Sequence, residues 1–280
     1  MENALDQPAL RFVENRYSDS EVEQMMRQFR DRGWVILPDV LERESVDPFV
    51  AQLEGLLVHV GTKYTIPDDT PHYLHGLFAP RARQVLPVSL SASAAQPLPS
   101  LHTTILVIQA NGDASDVPTW HKDRAPDGMP GQEYHYPLDV FLAYYFEDMT
   151  DEHGPTQVIP GSHRDVTMTP QTPGVPVDSI YCRKQDALLI DQRTWHRGTP
   201  RSVAGTRFLF VYGLCAVPHF YGSNFQMPRV QRRAWMNARN VRDRVLLGGP
   251  FAPPDLEELE LMREELERPD RPQVSFPRQT

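Results

Sequence analysis

Thr119-Trp120-His121-Lys122-Asp123 places an imidazole and a carboxylate two positions apart. On an extended backbone successive side chains point to opposite faces, so His121 and Asp123 share one face and Lys122 takes the other. Such a pair is two thirds of a facial metal site. Alone it decides little, because with 10 His in 280 residues chance yields about 0.75 His-x-Asp pairs. A third ligand has to come from elsewhere in the chain.

The candidate is His196, in Leu188-Leu-Ile-Asp-Gln-Arg-Thr-Trp-His196-Arg-Gly-Thr-Pro200. It follows an apolar run and precedes Gly198 and Pro200, a strand end from which a rigid barrel aims a side chain inward. Two neutral imidazoles and one carboxylate suit Fe(II) and leave three positions for an oxidant and a cosubstrate. Zinc is the competing metal, but it usually takes clustered cysteines or a His-Glu-x-x-His helix, and the sequence has neither pattern. Against any metal stands the ordinary fate of a lone histidine, a hydrogen-bonded structural imidazole.

Arg207 bears on that choice. In Thr206-Arg-Phe-Leu-Phe-Val-Tyr212 it shares a face with Leu209 and Val211, while Phe208, Phe210 and Tyr212 take the other. If the first face lines the interior, a guanidinium is buried among aliphatics and needs an anion. Two partners fit: an internal carboxylate such as Asp191, or the distal carboxylate of a bound 2-oxo diacid, which matches the guanidinium fork.

Around these residues the composition is that of a globular protein, with 40% hydrophobic and 23% charged residues. A net charge of −9 argues against nucleic acid as a partner. No apolar run reaches the length of a membrane span, and the N-terminus lacks a secretory pattern. Two cysteines are too few for a disulfide framework, and a cytoplasmic location is expected. A single domain over 1–280 is expected, with N-terminal helices in 18–60, a β core in 101–217 and C-terminal helices in 229–268.

Ser18 to Arg32 has helical spacing, opened by Ser18 with Glu21 three residues on and closed by Gly33. Trp34 to Leu37 reads as a buried strand, Glu44 to Val60 as a second helix, and Tyr64 to Ser100 mostly as loop. Leu101–Ala110, Leu138–Glu147, Gln157–Pro160, Ser179–Cys182, Ala187–Asp191 and Phe208–Val217 are strand-like runs between turns, the pattern of an antiparallel barrel or sandwich. Arg229 to Leu247 and Asp255 to Glu267 read as helices of opposite charge, and Arg268 to Thr280 as a tail.

Taken together, Gly154-Pro-Thr-Gln-Val-Ile-Pro-Gly-Ser-His163, the His121–Asp123 pair, Trp195-His196-Arg197-Gly198, Arg207 and the opening Phe29-Arg-Asp-Arg-Gly-Trp-Val-Ile-Leu-Pro-Asp-Val-Leu41 resemble the phytanoyl-CoA dioxygenase family of Fe(II)- and 2-oxoglutarate-dependent oxygenases. The match spans about residues 18 to 217. The resemblance implies a double-stranded β-helix, that is, a jelly-roll or cupin-like barrel with flanking helices. It also implies iron held by His121, Asp123 and His196, 2-oxoglutarate anchored through Arg207 with help from Thr156, O2 as co-oxidant and ascorbate dependence. His163 is typical of the family and is read as shaping the site. His153 stands where relatives usually have Asn, and Gly198 where some have Ser. Halogenases of the same lineage replace the metal-binding Asp, so Asp123 points to C–H oxidation, with hydroxylation the default.

For substrate, Tyr64, His72, Tyr73, His75, Leu77 and Phe78, the loop Arg124–Tyr136 and His219–Phe225 are aromatic-rich segments that would wall a pocket for a mostly apolar small molecule of secondary metabolism. Ordinary packing explains them equally well. A monomer or homodimer is expected. The competing functions are the same chemistry on a protein side chain, or a non-catalytic metal-binding cupin-like module.

Overall fold

The structure is a computed structural model of the chain, describing residues 8–60, 63–90, 99–110, 119–124, 137, 139–216, 229–238 and 241–248. Helix α1 (Asp19–Arg32) begins where the sequence predicts. The Ser18 hydroxyl accepts the Glu21 N–H at 3.3 Å and the Glu21 carboxylate accepts the Ser18 N–H at 2.7 Å, a reciprocal cap. Gly33 stops the helix at φ 81°, a left-handed conformation that suits glycine. Strand β1 (Trp34–Leu37) follows, sending Val35 and Leu37 to one side and Trp34 and Ile36 to the other.

Helix α2 (Arg43–Gly55) ends earlier than the apolar periodicity suggests. Val58–Val60 (β2) instead pairs antiparallel with Lys63–Thr65 (β3), where β-branched residues favour a hairpin over another helical turn. The segment read as loop also holds helix α3 (Pro80–Ser89), which buries Ala82, Val85, Leu86 and Ser89. Its start carries a legible signal, since Pro80 sits at the first helical position, where no N–H is needed.

The strand runs of the middle become β4 (Pro99–Ala110), β5 (Asp139–Tyr144), β6 (Thr156–Val158), β7 (Asp178–Ile180), β8 (Ala187–Asp191), β9 (His196–Arg197) and β10 (Thr206–Ala216). Five strands form one antiparallel sheet in the order β1-β8-β5-β10-β4, and three form a second in the order β7-β6-β9. Residues 119–124 lie along the free side of β9, through an antiparallel bridge between His121 and His196. The molecule is thus mostly β with flanking helices.

Side chains alternate across the large sheet, so it carries two cores. Val140, Leu142, Tyr144, Phe208, Phe210 and Tyr212 face the helices. Ala143, Tyr145, Leu188, Ile190, Leu209 and Val211 face the small sheet, meeting Val158 and Ile180. β5 is buried at all positions, as its unbroken apolar run predicts.

The expected single helix from Arg229 to Leu247 is two helices, α4 (Arg229–Asn237) and α5 (Val241–Leu246). Gln231 Nε2 donates to Leu247 O at 2.7 Å, joining their ends. The readings for 255–267 and 268–280 lie outside the described residues. Among the described residues no helix is long and apolar enough to cross a membrane.

Candidate metal centre

Strand pairing brings the three expected ligands together. His121 N–H donates to His196 O and His196 N–H donates to His121 O, both at 3.0 Å, while the Asp123 and Arg124 N–H groups donate to Gln192 O at 3.2 Å. These bonds align 119–124 with the segment carrying His196. Val158 is the register partner of His196 and is buried between the sheets, so the His196 imidazole belongs to that same face.

Side-chain geometry then selects the donor atoms. His121 Nδ1 donates to Thr119 O at 2.7 Å, and His196 Nδ1 donates to Thr194 O at 2.9 Å. Each ring has its Nδ1 proton committed to a backbone carbonyl, which leaves both Nε2 lone pairs free, the tautomer a metal ligand needs. Those atoms converge on Asp123, His196 Nε2 lying 3.0 Å and His121 Nε2 3.7 Å from its carboxylate oxygens. One ligand atom from each residue falls within 4.8 Å of the others, and among the described residues this is the only such cluster of His, Cys, Asp and Glu. His196 is more enclosed than His121 or Asp123, with side-chain exposures of 12%, 37% and 32%. The cluster therefore opens to one side. Lys122 points the other way, as alternation predicts, and its ammonium donates to Ser162 O at 2.7 Å.

Arg207 occupies the space between the sheets with Leu209 and Val211, on the face that would need an anion. Only 6% of it is exposed, and burial pulls its pKa down from the usual guanidinium value. Its Nη1 donates to Gly154 O at 2.9 Å and His153 O at 3.2 Å, and its Nε is buried without a partner. Among the described residues no carboxylate pairs with it. Glu147 is bound by Arg201 at 2.7 Å.

Asp191, the internal partner weighed from sequence, is engaged elsewhere. It falls on the helix-facing side of β8 by alternation with Leu188 and Ile190, and it holds Arg193 through bonds of 2.9 and 2.6 Å. Thr156 lies on the interior face of β6 with Val158, and its hydroxyl makes a short hydrogen bond to Tyr145 OH. Burial pushes the Tyr145 phenol up to about 12, keeping it a neutral hydrogen-bonding group. Tyr145 escaped the sequence reading inside an unbroken apolar run, although alternation with Ala143 marks its face.

Of the two readings left open for Tyr64 to Phe78, pocket wall or ordinary packing, packing is what the structure shows for His72, Tyr73, His75 and Leu77. His72, Tyr73 and Leu77 are buried, Tyr73 and Leu77 in the helix-side core, and His72 stacks on Phe49 with ring centroids 5.4 Å apart. His75 stacks on Phe12 and bonds Leu10 O at 2.7 Å, while Tyr64 is exposed on the β2–β3 hairpin. Apolar aromatics packed on the side of the large sheet that the helices cover, away from the ligand cluster. Of the other pocket loops, 125–136 and 219–225 lie outside the described residues. His163 does not join the candidate ligands: it is buried, and its Nε2 donates to Arg30 O at 2.9 Å, against the end of α1.

Solved structures share this architecture. The α-ketoglutarate-dependent epimerase SnoN of nogalamycin biosynthesis is 19% identical, with a TM-score of 0.58 covering 76% of this chain and 89% of SnoN. The carbocyclase SnoK of the same biosynthesis is 17% identical, with a TM-score of 0.52 over 75% of this chain and 87% of its own. HygX from Streptomyces hygroscopicus, solved with nickel, 2-oxoglutarate and hygromycin B, is 18% identical, with a TM-score of 0.53 over 74% of this chain and 93% of HygX. Among curated proteins no sequence matches. The family model for phytanoyl-CoA dioxygenase matches residues 13–208, a span that contains the ligand cluster and Arg207. The chain belongs to the phytanoyl-CoA dioxygenase family, the iron- and 2-oxoglutarate-dependent oxygenases.

Proposed function

We propose that His121, Asp123 and His196 hold Fe(II), that Arg207 anchors 2-oxoglutarate, and that the enzyme hydroxylates a C–H bond of a mostly apolar small molecule in natural-product metabolism. The observation carrying this is the convergence of two Nε2 atoms and one carboxylate within 4.8 Å, with both Nδ1 protons already committed. When bound, iron with 2-oxoglutarate and O2 supplies an oxidant for unactivated C–H bonds, 2-oxoglutarate leaving as succinate and CO2. The chain's residues do the rest. Arg207, with carbonyl partners and a spare buried Nε, offers a carboxylate the charge it lacks. Tyr145 and Thr156 stand next to it as neutral hydroxyls that orient that carboxylate. Asp123 argues against halogenation, in which this carboxylate is replaced.

In this reading the two sheets, with 119–124 as a fourth strand of the small one, are the walls of a double-stranded β-helix within one domain. The protein would act in the cytoplasm as a monomer or homodimer. A second outcome is stereoinversion or ring closure, favoured by the likeness to an epimerase and a carbocyclase.

The test is anaerobic addition of Fe(II) and 2-oxoglutarate, watching for the visible charge-transfer band of the chelated cosubstrate in wild type and Arg207→Ala. A band weakened by the substitution supports metal and cosubstrate roles together. Iron binding without a band in the wild type would favour the non-catalytic module.

A further inference from the structure

We infer that Ser162, in the turn Ile159–His163, is a positioning residue that sets the two metal-bearing segments against each other before an ion binds; this rests on reading His121, Asp123 and His196 as the ligands. Ser162 is completely buried. Its hydroxyl oxygen accepts the Trp195 N–H at 2.8 Å, and the Ile159 N–H donates to Trp195 O at 2.9 Å. The residue before His196 is therefore gripped at both ends of its backbone by one turn. From the other segment Lys122, which lies between His121 and Asp123, donates its ammonium to Ser162 O at 2.7 Å. The same ammonium lies 5.6 Å from the centre of the Trp195 ring, so the two grips touch.

The turn is itself fixed from behind. Gly161 N–H donates to Arg32 O at 3.0 Å and His163 Nε2 donates to Arg30 O at 2.9 Å, tying it to the last turn of α1. The end of α1 is thus tied, through this turn, to Trp195 and Lys122, the chain neighbours of all three ligand residues. Since the ligand cluster opens to one side, this support comes from the buried side, where a bracket leaves the entrance free.

The experiment is a cobalt(II) titration of the full-length apo-protein, read by its ligand-field absorption, for wild type, Ser162→Ala, Lys122→Met and His121→Ala, each below its melting transition. Ser162→Ala should raise the dissociation constant by about tenfold or more, the usual effect of losing a group that orients a ligand. Lys122→Met carries an internal sign test. Removing a positive charge beside a cation tightens binding by electrostatics alone, so weaker binding in this variant reports lost positioning. If Ser162→Ala binds within twofold of wild type, however far its melting temperature falls, the residue is merely structural and the inference fails. If Lys122→Met binds more tightly, the claim that Ser162 holds both segments is overturned. Unchanged affinity in His121→Ala would instead overturn the ligand assignment.

Discussion

The backbones of His121 and His196 exchange two hydrogen bonds of 3.0 Å, and their rings sit 4.3 Å apart at an angle of 55°. Ring spacing here follows from strand pairing and not from contact between the side chains. Asp123, two residues on, lies in a bend whose Asp123 and Arg124 N–H groups both donate to Gln192 O, and from there its carboxylate reaches both rings.

His121 and Asp123 are the more exposed members of the cluster, with side chains 37% and 32% exposed, so replacing either removes little packing. His121→Ala or Asp123→Ala should lower succinate formation from 2-oxoglutarate at least ~100-fold and leave the circular dichroism spectrum unchanged. Full turnover in either variant would dismiss the ligand assignment.

Arg207 is a buried cation whose partners are carbonyl oxygens of His153 and Gly154. Losing one partner of a buried charge pair costs roughly 2–5 kcal/mol, so Arg207→Ala should raise the KM for 2-oxoglutarate about 30-fold or more. Arg207→Lys should recover only part of this, since an ammonium cannot present a fork. Steady-state kinetics with 2-oxoglutarate varied would show it, and an unchanged KM would leave Arg207 a structural residue.

Burial pushes the His72 imidazole down to about 4 from its usual 6.5. Between those values the unfolded chain takes up a proton that the folded protein refuses, so stability falls as pH drops from 6.5 to 4 and this group adds no further loss below that. The full window is worth ~3 kcal/mol. His75 and His163 are shifted in the same direction by burial. Urea midpoints at pH 7 and pH 4.5 should converge in His72→Leu relative to wild type; an equal pH slope in both would show that His72 titrates normally.

A Cβ on Gly33 would lie 2.2 Å from Thr194 Oγ1 and 2.6 Å from His163 Nδ1, at a φ of 81°. Gly33→Ala should therefore destabilise by at least ~2 kcal/mol, a fall in melting temperature of ~4–8 °C. Gly55→Ala is the control, since nothing lies within 4 Å of that Cβ. There the better helix former should stabilise by ~0.5–1 kcal/mol. Scanning calorimetry would compare the two, and a Gly33→Ala protein as stable as wild type would refute the close packing.

Local rules carried α1, β1 and β8 directly from sequence, because a capping box, a helix-ending glycine and a short apolar run each act within a few residues. The same is true of the His121–Asp123 pair and of the two faces of β10, both set by period-two alternation. Alternation divides faces but cannot name them. That Arg207 looks into the inter-sheet space, while Asp191 turns toward the helices to hold Arg193, follows from which strands pair across the chain. The aromatics of 64–78 stayed open between two readings for the same reason, since an apolar ring fits a pocket wall and a core equally well until the sheet beside it is known. Sequence alone determined the candidate ligand types and their local spacing. Tertiary structure alone decided which segments meet, because bonds such as those between His121 and His196 join residues far apart in the chain, and no local pattern encodes that closure.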